Sequence, residues 1–415
     1  MTDDMVEPFL EGLTLTHALS DRRIFIVDHE ILQDCPSMPD LTICAPFALF
    51  FEQNDGTLIP IAIQLFQDKA DDNPVFLPTD SKYSWTLAKM WFNNADACVH
   101  QSAIHLAATH LIMEGIAIVM NRQLSQSHPI FKLLKPHFHL LLPTNTRAFE
   151  KLFAPIHGWT EGITNMGITG LNHIIEKFCE KWRMDIDGLL PADLMYRGVE
   201  DPEVLKHYYF REDAMTVYEI IHKYVNNYVK LYYDDDNDVI DDAEIQSWRE
   251  EMAKSSAEGG LGLHGVPGDS EKLMSRRQLV DVCCCVIYTC TVGNSASKLK
   301  KYDEYAFIPN YPSKLIGEPP KDKRERTEDD ILAALPDKAT VMETLKIFKL
   351  LAQKHSESIG HFVVNCVYDP KGVKLIKEFR DDLKKASGLI RTRNKSRMIS
   401  YLCLDPLEIQ NNICI

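Results

Sequence analysis

The hydrophobic positions of this chain fall into two regimes. Near the start, Arg23-Ile24-Phe25-Ile26-Val27-Asp28 and Leu58-Ile59-Pro60-Ile61-Ala62-Ile63-Gln64-Leu65 have the β-branched and aromatic density of strands, and the second follows the turn sequence Asn54-Asp55-Gly56. They predict a small antiparallel sheet. Farther along, apolar residues recur at helical spacing, which predicts helices over 131–142, 171–182, 214–233, 242–253, 271–290 and 339–353. The expected fold is therefore mainly α, with a minor β element near the N-terminus. No internal repeat appears, and no linker is long enough to mark a domain boundary. At 415 residues, one large helical domain and two domains are both allowed.

One apolar stretch stands out, His100-Gln101-Ser102-Ala103-Ile104-His105-Leu106-Ala107-Ala108-Thr109-His110-Leu111-Ile112-Met113-Glu114, because its histidines recur every five residues. On a regular α-helix five residues turn about 500°, so such side chains stand roughly 140° apart and do not share a face. Two of them meet only if the helix widens into a π-bulge, a feature concentrated at functional sites. Imidazoles brought together in an apolar wall point to a metal. The competing reading is three core histidines, each bonded to a backbone carbonyl.

Charge narrows the classes of function. A net charge of −15 argues against nucleic acid and offers no polybasic surface for anionic lipid. The start Met1-Thr2-Asp3-Asp4 is no signal peptide, and the eleven cysteines, with Cys283-Cys284-Cys285 adjacent, lie in apolar runs. Reduced thiols and a cytoplasmic location are expected. Arg, Lys or His interrupts every stretch approaching the roughly 18 apolar residues of a membrane helix, so no span is expected, and peripheral membrane contact stays open.

The words around the histidines extend the pattern: Trp85-Thr86-Leu87-Ala88-Lys89, Ala95-Asp96, His100-Gln101, His105-Leu106, Thr109-His110-Leu111, Glu114, Arg122, Leu124 and His128-Pro129-Ile130. Together they closely resemble the iron-binding helix of the lipoxygenases, in their animal branch. The resemblance runs from Leu15-Thr16-His17-Ala18-Leu19 to Asn411-Asn412-Ile413-Cys414-Ile415. It implies a lipoxygenase-type helical catalytic domain, non-haem iron, and addition of O₂ to a polyunsaturated fatty acid. Residues 1–415 would form a partial catalytic domain, with the N-terminal PLAT-like β-sandwich and the opening part of the catalytic domain absent. Apolar helix faces normally covered by those parts would then be exposed.

The resemblance also implies roles. His105 and His110 match histidine ligands, and Ile415 matches an isoleucine whose terminal carboxylate binds iron. Further on, Asn294 stands where the family has a histidine ligand and Lys298 where it has a weaker one; Lys301 replaces a nearby glutamine. An amide is a weaker ligand than imidazole, and a protonated lysine repels a dication. Arg147 falls where a basic residue suits a fatty-acid carboxylate, and Ala148 occupies the position tied to oxygenation stereochemistry, favouring an S-type outcome. Leu106 and Leu111 match apolar residues beside the pentadiene, and Gln101 and Glu114 match groups orienting the ligand helix. For Arg147, an ordinary surface salt bridge is the competing reading.

Other segments carry weaker signals. Asp234 to Asp242 lacks the Gly and Glu of an EF-hand and reads as a solvated acidic loop. The glycines from Gly259 to Gly265 read as flexibility, Lys321 to Arg326 as an exposed loop, and the cysteine triplet as core. Two functions from different classes follow: an iron dioxygenase of polyunsaturated fatty acids, and a non-catalytic lipoxygenase-like protein binding fatty acid or a partner.

Overall fold

The computed structural model describes residues 2–154, 158–268, 272–299 and 301–414. Three antiparallel strands lie in sequence order: β1 (Ile24–Asp28), β2 (Phe47–Glu52) and β3 (Leu58–Gln64). Ile24 pairs with Phe51, and Phe47 pairs with both Asp28 and Gln64. The central strand β2 was not predicted, although Phe47-Ala48-Leu49-Phe50-Phe51 has the aromatic density of the other two. Pro60, which cannot donate to a ladder, lies on the edge strand beside an irregularity in register at Leu49/Phe50. Gly56, at φ +82, closes the predicted turn between β2 and β3.

The helices used below are labelled in chain order. α1 is continuous over Lys82–Val99, His100–Leu111 and Ile112–Gln123, and its middle twelve residues are π-helical. α2 is Leu141–Lys151, α3 Gly167–Lys181 and α4 Tyr209–Tyr232. α5 runs through Arg276–Tyr288, a π-helical Thr289–Gly293 and Asn294–Lys298. α6 is Lys338–Leu351 and α7 Pro370–Asn394.

The main core gathers α4, α5, α7 and the second half of α1, with Trp248, Tyr228 and Ile390 among its fully buried side chains. The cysteine triplet and Cys290 lie inside it, unpaired and buried, as core packing requires. Smaller clusters join the sheet to the first half of α1 and α3 to the π segment. Within Lys82–Gln123 and Arg276–Tyr305 the mean hydropathy reaches that of a membrane span despite the interrupting residues, but 67% and 83% of those windows are buried in the protein's own interior. Their hydrophobicity is that of core helices.

Several predicted elements shift for local reasons. The helix expected over 131–142 breaks into Pro129–Leu134, a tight turn at Lys135–Phe138, and α2, because Leu140 adopts a left-handed conformation at φ +63. In the acidic run Asp235 and Asp238 cap a short helix, Asp236–Asp241, and Asp242 caps the next, so those carboxylates satisfy backbone N–H groups. Arg326, expected in an exposed loop, is buried and donates to Ser84 Oγ and to Asp322. Glu271, the predicted start of α5, lies outside the described residues; the helix begins at Arg276, capped by Ser275 Oγ.

Candidate functional site

The π-helical turn decides which histidines meet. Its i→i+5 bonding brings residues five apart toward a common face, and the rings of His105 and His110 lie 5.0 Å apart, nearly perpendicular at 82°. His100 does not join them. Its Nε2 lies 2.9 Å from the Ser297 carbonyl and its Nδ1 3.2 Å from the Tyr305 hydroxyl, so this third histidine is satisfied by the neighbouring helix.

His110 is oriented by a side chain that sequence reasoning passed over. Nδ1 of His110 lies 2.7 Å from Asn145 Oδ1, and Asn145 Nδ2 donates both to the His110 carbonyl and, at 2.6 Å, to Glu114 Oε2. A carbonyl oxygen only accepts, so the His110 proton sits on Nδ1 and Nε2 keeps its lone pair. Glu114 thus acts on His110 through Asn145, a link across 31 residues with no signature in spacing. His105 Nε2 is buried without a partner among the described residues. Burial holds His105 well below the ordinary imidazole range and His110 down at about 4, so both rings are neutral at pH 7.

These two rings form part of the wall of a cavity that is partly open to solvent. Gln101, Lys298 and Cys414 share the polar end with them; Leu106, Phe153, Ile163, Leu171 and Phe348 supply apolar walls. Ala148, Leu152, Trp159 and Leu351 also line an adjoining recess edged by Arg147, Glu150 and Lys151. Arg147 therefore stands at the rim, exposed, with no ion pair to a described residue, and Ala148 behind it faces the cavity. Leu111 does not line this space; it packs with the α3 cluster instead.

The later positions differ in kind. Asn294 is fully buried, and neither amide atom has a partner among the described residues. Lys298 and Lys301 are 1% and 2% exposed. Lys298 Nζ donates to the Cys414 carbonyl at 2.6 Å, and Lys301 Nζ to Gln101 Oε1 at 2.9 Å. Burial lowers the Lys298 ammonium to about 8 and pulls Lys301 well below the lysine range. The segment before the last residue threads the interior: Gln410 N donates to Ser295 Oγ, His137 Nδ1 to the Asn411 carbonyl, and Asn412 Nδ2 to the His139 carbonyl. Ile415 lies outside the described residues.

The fold and site thus define a mainly helical protein that carries paired imidazoles on a π-helix, facing a mostly apolar cavity. The lipoxygenase family profile matches residues 1–402, and the chain belongs to the lipoxygenase family. It is 34% identical to the rat polyunsaturated fatty acid lipoxygenase ALOX15B and 32% identical to the rat hydroperoxide isomerase ALOXE3, over its whole length but 61% and 58% of theirs. Among solved structures, a lipoxygenase in complex with arachidonate superposes with a TM-score of 0.94 at 31% identity, covering all of this chain and 63% of that one. A coral 8R-lipoxygenase superposes equally well, with 62% of it covered. The chain spans about three fifths of these relatives.

The family normally uses non-haem iron. The described residues do not fit that ion. No group of three His, Cys, Asp or Glu donors converges among them, the third family position holds an amide with both atoms unpartnered, and an amine occupies the polar end of the cavity. Among the described residues, the two neutral imidazoles are what this site offers of that donor set.

Proposed function

We propose that this chain binds a polyunsaturated fatty acid in its interior cavity without carrying out the family's iron-dependent dioxygenation. The observation that carries this reading is the contrast within one cavity. Its walls are mostly apolar and include Ala148, while its polar end holds Lys298, at a position where the resemblance implies an iron ligand. Burying a long acyl chain against such walls contributes about 0.8 kcal/mol per CH₂, a driving force that needs no metal. The arachidonate complex of the related lipoxygenase supports the ligand class.

Titration with arachidonate, followed by calorimetry, tests the reading together with a conjugated-diene absorbance assay. Binding is expected, with no diene formed, and Ala148→Phe, which fills the cavity beside its opening, should abolish binding while the fold persists. Absence of saturable binding by the folded chain would sink the proposal. A second reading, iron-dependent formation of a fatty-acid hydroperoxide, is favoured by one arrangement: His110 held by Asn145 and Glu114 with its second nitrogen free, beside the unpartnered His105 Nε2. Diene formation that tracks iron content would establish it.

A further inference from the structure

Beside the polar end of the cavity, which Gln101 lines, runs a directed series of hydrogen bonds. Lys301 Nζ donates to Gln101 Oε1, Gln101 Nε2 donates to the Tyr305 hydroxyl at 2.8 Å, and that hydroxyl meets His100 Nδ1. At the far end the Ser297 carbonyl can only accept, so His100 carries its proton on Nε2 and Nδ1 accepts from Tyr305. Direction is therefore fixed from the lysine to the backbone of α5. Separately, Lys298 Nζ fastens α5 to the Cys414 carbonyl in the C-terminal segment.

These bonds join three stretches distant in sequence: the π segment of α1, the region of Ser297, Lys298, Lys301 and Tyr305, and the segment ending at Cys414. The stretches meet where the family resemblance places metal ligands. We propose that Lys298 and Lys301 take over the cross-linking role of a metal ion in this chain, so that the site is held together by amines, is stable without metal, and excludes divalent cations from His105 and His110. The inference concerns the same cavity as the proposed fatty-acid binding but does not depend on lipid occupying it.

Three features support it. Both amines are buried and both are bonded to protein oxygens, which is costly unless the bonds serve the fold. Lys298 faces the same cavity as both imidazoles, where its charge opposes a dication in a low-dielectric setting. Asn294 is left with two unsatisfied polar atoms, so it occupies the site without contributing a bond.

The test uses the full chain, expressed with iron supplementation. Iron is measured by plasma mass spectrometry, and melting is recorded as purified, with EDTA, and with added Fe(II). Expected are far substoichiometric iron and the same melting temperature in all three conditions. Lys298→Met and Lys301→Met should each lower the melting temperature without gaining iron, whereas Asn294→Leu should leave it unchanged or raise it. Near-stoichiometric iron, a saturable rise in melting temperature with Fe(II), or Met variants that melt like the parent would each overturn the proposal. If a Met variant does not fold, the parent's iron content and indifference to chelator decide the matter. Loss of fatty-acid binding alone alters none of these readouts.

Discussion

At the scale of single residues, the interior of this protein depends on histidines kept neutral. His100 and His137 are both held at about 4, chiefly by burial. In the unfolded chain they titrate near 6.5, so between about pH 6.5 and 4 the unfolded state binds more protons and stability falls with pH. Each contributes on the order of 3 kcal/mol to that loss if fully protected. The melting temperature should therefore drop steeply over this window, and His137→Asn should show a shallower drop than the parent; equal slopes would remove His137 from the account. Asn145 gives a second prediction. Its three bonds, to His110 Nδ1, the His110 carbonyl and Glu114, are replaced by nothing in Asn145→Ala, so unfolding in urea should reveal a loss of about 2 kcal/mol. An unchanged midpoint would mean that solvent takes over those bonds.

At the scale of elements, the long charged helix α7 shows both how a helix is held and how it escapes notice. Asp213 on α4 is wholly buried, with Arg397 Nη1 at 2.6 Å and Arg393 Nη1 at 3.3 Å. Asp213→Ala leaves the Arg397 guanidinium with Glu212 Oε2 at 2.6 Å as its remaining carboxylate, so the loss should fall short of the about 3–5 kcal/mol of a fully stranded buried charge. Adding Arg397→Met should recover part of that loss in a double-mutant cycle. Purely additive losses would show that the pair is not coupled. The apolar residues Ile376, Phe379, Leu383, Ala386 and Ile390 of α7 follow helical spacing, but the charged residues between them masked the pattern. The strand signals at Ile24 and Leu58 were legible from their β-branched and aromatic density, and a helix such as Gly167–Lys181 from the helical spacing of its apolar residues. What was not legible depends on partners far along the chain. Asn145 meets Glu114, Arg326 meets Ser84, and the second π-helical turn at Thr289–Gly293 has no histidine spacing to betray it. The five-residue period at His105 and His110, by contrast, offered the widened helix as one of two readings, and the family-like residues around it favoured that one.

For the molecule as a whole, the cavity and its rim divide the proposed binding between apolar burial and charge. The acyl chain would lie between α2, α3 and α6, where Leu152, Leu171 and Phe348 line the space. The carboxylate would stay at the rim near Arg147 and Lys151, one helical turn apart on α2. Because that rim is exposed, a charge pair there is worth only about 0–1 kcal/mol, whereas the buried chain supplies most of the affinity. A ligand that binds only the folded state at a hundredfold excess over its Kd stabilises it by about 2.7 kcal/mol. Arachidonate should accordingly raise the melting temperature clearly. Its methyl ester should do so nearly as well, weakened by about fivefold at most in Kd, and Arg147→Ala should erase the difference between acid and ester. If the ester fails to bind while the acid binds tightly, the carboxylate is instead recognised by a buried charge, and the orientation with its head at the rim is wrong.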